Sequence, residues 1–121
     1  MYQKIEDKMQ KLERALNRLE FMISKGIDKD RAYVDSSIQR FEIVFELVWK
    51  TLKAFLEYEG KETAYPRQAF ELAYQGKLIG EEAVWLQMMK DRNETSHIYD
   101  ESRADEIYQN LVYEPGMDHA V

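Results

Sequence analysis

Apolar residues recur along the chain at steps of three and four, the spacing that places them on one face of an α-helix. The first such segment covers residues 2–25 and is followed by Gly26. Glycine suits the end of a helix there, because it adopts the left-handed conformation without steric strain. A second, longer segment begins after Asp28 or Asp30, either of which can cap it, and stops at Gly60. The pattern thus predicts two long amphipathic helices.

Three shorter helical segments follow. Proline suits the first turn of a helix, so we expect one to begin at Pro66 and to end at Gly76. Another begins near Glu81, and the last covers residues 101–114, where Asp100 can cap it. No stretch alternates between apolar and polar residues as a β-strand does. The pattern therefore predicts an all-α protein, an antiparallel up-and-down bundle of four or five helices.

The second helix carries more apolar surface than one core requires. Its apolar residues cover on the order of 240° of the circumference, whereas a surface helix needs only about 100°. One side of the helix is formed by Phe41, Val44, Phe45, Val48, Leu52 and Phe55. This apolar side is widened by Ile43, Leu47 and Ala54. The apolar surface that the core leaves over is covered either by another helix of the bundle or by a second copy of the chain, and we favour a homodimer. Its polar stripe is Glu42, Glu46, Lys50 and Lys53, which we interpret as solvated and without catalytic meaning.

Length and composition describe one folded domain. We expect it to cover residues 1–114 of the 121, followed by a C-terminal tail over 115–121. Hydrophobic residues make up 45% and charged residues 33%, which is typical of a soluble globular protein. No apolar run is long enough for a membrane span, the first residues lack the apolar core of a signal peptide, and there is no cysteine. We therefore expect a cytoplasmic protein with no membrane contact.

The stretch 91–101, DRNETSHIYDE, concentrates polar and aromatic side chains. Arg92 follows Trp85 and Met88 at steps of three and four, so it lies on the apolar face of its helix. A charged group placed there needs a partner, and we expect an anionic group beside Arg92. Thr95 and the serine after it favour a helix break, which would turn the following histidine back toward Arg92 and form a pocket.

A purely structural interpretation of the same residues stays open at this point. Arg92 would then pair with Asp91, Glu94 or a carboxylate of a neighbouring helix. His97 would be a helix-end cap, and Tyr99 a half-buried aromatic residue. An arginine followed five positions later by a histidine carries little weight by itself, because it arises by chance in about one chain in ten of this size.

Three longer stretches carry a resemblance to a known family. They are RFEIVFELVWKTLKAFLEYEG, AFELAYQGKLIGEEAVWLQMMKDRN and RNETSHIYDE, the last of which matches the pattern R-N-x-x-x-H-x-Y-D-E in full. From about residue 5 to 112 the chain resembles the HEPN superfamily, and within it the nucleotidyltransferase substrate-binding subunits. The resemblance implies an antiparallel helical homodimer in which the arginine and histidine of both protomers line one cleft. It also implies a minimal nucleotidyltransferase as partner, in a two-component system of the toxin and antitoxin type.

Many HEPN proteins are metal-independent ribonucleases, and the residues present suit that chemistry. His97 can take the proton of a ribose 2′-hydroxyl near neutral pH, and Arg92 can brace the phosphate as negative charge develops. Asn93 would orient the phosphate or the imidazole. We expect neither a cofactor nor a metal, because the two histidines stand 22 residues apart and no metal-binding motif occurs. The net charge of −6 argues against a broad basic surface for RNA, although not against a narrow cleft.

Two other functions stay open. The chain would be a non-catalytic subunit if its cleft binds a nucleotide or presents an acceptor to the transferase; it is not the transferase itself, because it contains no Gly-Ser dipeptide. It would otherwise be a structural dimeric bundle. In some HEPN and nucleotidyltransferase pairs the tyrosine of the H-x-Y motif is adenylylated, so the resemblance implies Tyr99 as the acceptor. The alternative is a buried Tyr99 whose hydroxyl serves the bundle.

Overall fold

The computed structural model describes residues 2–26, 31–95 and 100–113, and five α-helices make up most of them. They are α1 (Tyr2–Ser24), α2 (Ala32–Tyr58), α3 (Pro66–Gln75), α4 (Glu82–Glu94) and α5 (Glu101–Tyr113). No strand occurs in these ranges. The predicted all-α bundle is confirmed. The predicted tail, 115–121, lies outside the described residues.

Most of the predicted helix ends are found where the local sequence signals place them. Gly26 and Gly60 have φ angles of 74° and 85°, in the left-handed region that favours glycine after a helix. At the start of α5 the Asp100 carboxylate accepts hydrogen bonds from the backbone N–H groups of Ser102, at 3.0 Å, and Arg103, at 3.4 Å. It therefore caps α5 as predicted.

The start of α2 is different from the prediction. Asp28 and Asp30, the two predicted caps, lie outside the described residues, and the residue immediately before α2 is Arg31. Its φ angle of 62° is left-handed, and its side chain makes no capping hydrogen bond. The side chain instead binds the carboxylates of Glu101 and Asp105 on α5. This arginine therefore ties α5 to the start of α2.

Contacts at both ends show that α1 and α2 are antiparallel. Met9 near the start of α1 lines a common cavity with Phe55 near the end of α2. At the other end the Tyr108 hydroxyl of α5 donates to the carbonyl oxygen of Ile23 at 3.3 Å, and Tyr108 packs with Val34 at the start of α2. The two helices thus lie side by side along the bundle.

An aromatic row joins α2, α3 and α4 in the main core. The rings of Phe45 and Phe70 are 5.5 Å apart, and Phe70 stacks on Trp85 at 5.0 Å. Such pairs stabilise a core beyond the apolar area that they bury. The row fixes the inner face of α4 against α2, which determines where the end of α4 lies.

The extended apolar surface of α2 is covered only in part within the chain. Leu47 is half-buried and packs against the main core, and Ala54 is also half-buried. Ile43 stays 41% exposed. A homodimer built on this helix therefore stays a prediction. No helix in the described ranges combines the length and the apolar content needed to cross a bilayer.

Candidate functional site

Arg92 lies at the edge of the core, where α4 passes α2. Trp85 and Met88 on the same face of α4 are buried in the main core, and Arg92 is one turn further along. The anionic partner predicted for it is present. Glu42 Oε2 lies 3.9 Å from Arg92 Nη1, and Glu46 Oε1 lies 3.8 Å from Nη2. Of the partners considered from sequence, carboxylates of a neighbouring helix are the ones found.

The guanidinium of Arg92 is held in place without being fully hydrogen-bonded. Both carboxylate distances exceed the 2.7–3.2 Å of ordinary N–H···O hydrogen bonds, so these are ion pairs without close donor contacts. Nη1 also lies 3.5 Å from Thr95 Oγ1. The buried Nε has no hydrogen-bond partner in the part of the chain that the structure describes. The Nη groups, and not the buried Nε, are therefore the donors that remain for an anion, since the side chain is 32% exposed.

The glutamates of α2 correct the interpretation of its polar stripe. The predicted pair of Glu46 and Lys50 exists, at 4.0 Å, and both side chains are exposed. Glu46 and Glu42 also face Arg92, however, so the stripe belongs to the candidate site and is not only a solvated surface. The spacing of four residues placed these glutamates on one face. It gave no indication that this face would meet α4.

The break predicted after Arg92 is also found. The helix α4 ends at Glu94, and the Thr95 hydroxyl donates a 2.9 Å hydrogen bond to the carbonyl oxygen of Arg92. Asn93 is exposed on the last turn of α4. His97 and Tyr99 lie outside the described residues, and so does the predicted return of the histidine toward Arg92. The structure therefore brings Arg92 together with Glu42 and Glu46 and does not describe the histidine.

Asp91 belongs to a buried network that sequence analysis missed. Its side chain is only 4% exposed. It accepts a hydrogen bond from Gln87 Nε2 at 3.1 Å, and Asn110 Nδ2 of α5 lies 3.1 and 3.0 Å from its two carboxylate oxygens. Burial raises the pKa of Asp91, and the hydrogen bonds from Asn110 and Gln87 oppose that rise. Asp91 is therefore not the partner of Arg92, one of the roles considered for it.

The neighbouring Glu94 is likewise paired with α5. Its Oε1 lies 3.2 Å from Nη2 of Arg103, whose Nη1 donates to Glu106 at 3.0 Å. Hydrogen bonding to Glu106 and the charge of Glu94 raise the pKa of Arg103. The acidic side chains around Arg92 are thus largely engaged by other helices. Within the described ranges no three potential ligands lie close enough to hold a metal ion.

Comparison with known proteins gives three findings. The family described as nucleotidyltransferase substrate binding protein like matches residues 7–120. A probable ribonuclease HepT of Haemophilus influenzae is 32% identical over an alignment of 83 residues that covers 64% of this chain and 57% of that protein. The alignment thus spans little more than half of that relative. A crystal structure of a Thermus thermophilus protein has a TM-score of 0.76 and 38% identity, covering 83% of this chain and 86% of that one.

Proposed function

The chain belongs to the nucleotidyltransferase substrate-binding protein-like family, as its HEPN resemblance predicted, and from this premise we propose that it is a metal-independent endoribonuclease. It acts in the cytoplasm as one component of a toxin and antitoxin pair, and a minimal nucleotidyltransferase is the other. Arg92, Asn93 and His97 carry the reaction. The observation that carries the proposal is the guanidinium of Arg92, which is half-buried and oriented by two carboxylates that stand beyond hydrogen-bond distance from its Nη groups.

The proposed reaction uses the RNA's own 2′-hydroxyl as nucleophile. His97 takes the proton of that hydroxyl while its oxygen bonds to the adjacent phosphorus. Arg92 donates hydrogen bonds to the phosphate oxygens on which negative charge grows, and Asn93 orients the phosphate or the imidazole. The bond from phosphorus to the 5′-oxygen breaks, that oxygen takes up a proton from solvent, and His97 returns its own proton to solvent. The products are a 2′,3′-cyclic phosphate and a 5′-hydroxyl.

Glu42 and Glu46 support Arg92 in this scheme. At 3.8 and 3.9 Å they hold the guanidinium by charge alone, without occupying its N–H groups at hydrogen-bond distance. A phosphate has better geometry for those groups, because guanidinium and phosphate form paired, charge-assisted hydrogen bonds. The same two carboxylates repel the rest of an RNA backbone, so binding is confined to a narrow cleft.

A homodimer completes the proposed cleft. The exposed Ile43 follows Glu42 on α2 and points about 100° away from it, so a partner chain that covers Ile43 comes near Arg92. The Arg92 and His97 groups of two protomers would then line one cleft, as the resemblance implies. Sedimentation equilibrium at micromolar concentration tests this, and a folded monomer there contradicts it.

Cleavage in the presence of chelator tests the enzymatic proposal. Purified protein should cut RNA in EDTA and leave 2′,3′-cyclic phosphate ends, and His97→Ala should abolish the cut. His119→Ala is the matched control, because it removes the other histidine of the chain and should leave cleavage unchanged. Equal cleavage by wild type and His97→Ala would mean that the activity comes from a contaminant.

The second candidate is a non-catalytic subunit that binds a nucleotide or offers an acceptor to the transferase. The family description and the acidic surroundings of Arg92 favour it. Tyr99 is the proposed acceptor of an AMP group, whose phosphate Arg92 would hold while the nucleotide covers the cleft. Transfer would join the tyrosine oxygen to the α-phosphorus of ATP and release pyrophosphate.

Mass spectrometry after incubation with the cognate transferase and ATP tests this role of Tyr99. An AMP adduct that disappears in Tyr99→Phe supports modification, while an unmodified Tyr99 beside a demonstrably active transferase contradicts it. If modification of Tyr99 stops RNA cleavage, both candidate functions are correct, and the chain is a ribonuclease that its transferase regulates. Modification of a chain that never cleaves RNA favours the non-catalytic subunit.

A further inference from the structure

The buried carboxylate of Asp91 connects two helices at the candidate site. Asp91 lies three residues before the end of α4 and immediately before Arg92. Its hydrogen-bond partner Asn110 lies on α5. Gln87, one turn earlier on α4, donates to the same carboxylate at 3.1 Å. The two oxygens thus receive amide donors from both helices. This arrangement links the end of α4 to α5 by directional hydrogen bonds.

The position of this contact determines what it controls. A second contact, Glu94 with Arg103 at 3.2 Å, joins the same two helices closer to their connection. Both contacts lie on the side of α4 that faces α5, whereas Arg92 points toward Glu42 and Glu46 of α2. Because one rigid helix carries both side chains, a rotation of α4 that breaks the Asp91 contact also changes the position of Arg92 relative to α2.

A carboxylate at this position is not explained by stability alone. Burial removes water from Asp91, which disfavours its charged form, and no cation lies within ion-pair distance of it among the described residues. The hydrogen bonds from two amides offset part of that cost, and they are directional. The contact therefore contributes more to the relative orientation of α4 and α5 than an apolar pair of the same size would.

We infer that Asp91 is a positioning residue, whose buried carboxylate locks α4 against α5 through Asn110 and so holds Arg92 in the direction needed to meet a phosphate. The inference rests on the proposed ribonuclease function for its activity readout. It assigns Asp91 no contact with the substrate.

A reciprocal exchange tests the inference without changing the composition of the chain. Asp91→Asn places an amide nitrogen opposite the amide nitrogen of Asn110, so one contact becomes a donor facing a donor. The double variant Asp91→Asn with Asn110→Asp restores a carboxylate and amide pair in reverse order. The amide nitrogen at 91 then donates to the carboxylate at 110, and the amide oxygen at 91 still accepts from Gln87.

The expected result is a loss of turnover that the exchange repairs. At a temperature where circular dichroism shows each variant folded, Asp91→Asn should lower kcat about 10- to 100-fold, because small displacements of a catalytic group cost that much. Its KM for RNA should change less than about threefold, and the double variant should recover kcat to within about threefold of wild type. Should Asp91→Asn not fold, Asn110→Ser breaks the link from the α5 side and takes its place.

Asp105→Asn is the matched control, because it removes a carboxylate that joins α5 to Arg31 without touching α4. It should leave kcat within about threefold of wild type. An unchanged kcat in Asp91→Asn, a double variant that regains stability but not kcat, or an equal loss in Asp105→Asn would each overturn the inference.

The inference stays testable if wild type cleaves no RNA, an outcome that removes the proposed function alone. Amide hydrogen exchange then decides. Faster exchange from Arg92 to Thr95 in Asp91→Asn, reversed in the double variant and absent in Asp105→Asn, supports the positioning role. Unchanged exchange there rejects it.

Discussion

Arg31 and Arg92 are both arginines that join α2 to another helix, and they do so in opposite ways. Arg31, at the start of α2, donates a hydrogen bond from Nη2 to Asp105, and its Nε lies 3.5 Å from Glu101. Its side chain is 21% exposed. The hydrogen bond with Asp105 raises the pKa of Arg31, and the charges of the surrounding carboxylates add to that rise. The guanidinium of Arg31 is therefore engaged by carboxylates of the protein itself.

Arg92 also meets two carboxylates, but neither comes within hydrogen-bond distance. Glu42 and Glu46 lie at 3.9 and 3.8 Å, the side chain is 32% exposed, and the buried Nε has no partner among the described residues. A guanidinium has five N–H donors, so the number engaged by protein determines how many remain for a ligand. Charge alone therefore does not distinguish Arg31 from Arg92. The hydrogen-bond geometry does.

The largest expected effect contrasts the two arginines in RNA cleavage. Arg92→Ala should lower kcat about 100- to 1,000-fold, because it removes the donors that the proposed reaction uses to stabilise charge on the phosphate. Arg31→Ala should leave kcat within about threefold of wild type once the variant is shown to be folded. Initial rates with a labelled RNA oligonucleotide in EDTA measure both.

Arg92→Lys sharpens the same contrast, because lysine keeps the charge but loses the planar paired donors. We expect an intermediate loss of about 10- to 100-fold. Full activity in Arg92→Lys would reduce the role of Arg92 to its charge. Equal losses in Arg31→Ala and Arg92→Ala would remove the distinction between the two sites.

For stability, in contrast to cleavage, we expect the substitution of Arg31 to have a larger effect than that of Arg92. Arg31→Ala should lower the free energy of unfolding by about 1 kcal/mol, a value kept small because Asp105 is 47% exposed and water screens the pair. Arg92→Ala should lower it by less than about 0.5 kcal/mol, because its contacts are longer. Urea denaturation with equal m-values measures both changes. A larger loss in Arg92→Ala would mean that Arg92 serves the bundle first.

Local signals explain why so much of the fold was predictable from sequence. The spacing of apolar residues, Gly26, Gly60 and the Asp100 cap act within a few residues, and each produced the expected helix end. The need of Arg92 for an anionic partner was also predictable, because Trp85 and Met88 on the same face are apolar.

The partners themselves were not predictable from local patterns. Asp91 and Asn110 are 19 residues apart in sequence, and Arg31 and Asp105 are 74 apart. Such pairs depend on which helix faces meet after the core has packed. The row from Phe45 to Trp85 places α4 against α2, and a separate cluster that includes Val34 and Tyr108 places α5 against the start of α2. The stripe of Glu42 and Glu46 was misinterpreted for the same reason. Its spacing showed a polar face but not the arginine that this face would meet.

The smallest expected effect concerns Asp91, a buried charge held by amides instead of an arginine. Burial, with a smaller contribution from the charge of Glu94, raises its pKa above the ordinary 3.8, while Asn110, Gln87 and Lys90 oppose that rise. The folded state therefore binds the proton more tightly than the unfolded chain does. The contribution of Asp91 to stability is fully present below pH 3.8 and is lost as pH rises through the raised pKa.

Comparison with Asp91→Asn isolates this contribution, because the other carboxylates titrate in both proteins. The free energy of unfolding of wild type minus that of Asp91→Asn should fall as pH rises from 3.8 through the raised pKa. The slope cannot exceed about 1.4 kcal/mol per pH unit, the limit for one proton. Urea denaturation of both proteins across this range measures it. If the difference in the free energy of unfolding instead rises with pH, the amides of Asn110 and Gln87 stabilise the carboxylate by more than burial destabilises it. Asp91 would then stabilise the fold in its charged form, as Arg31 does.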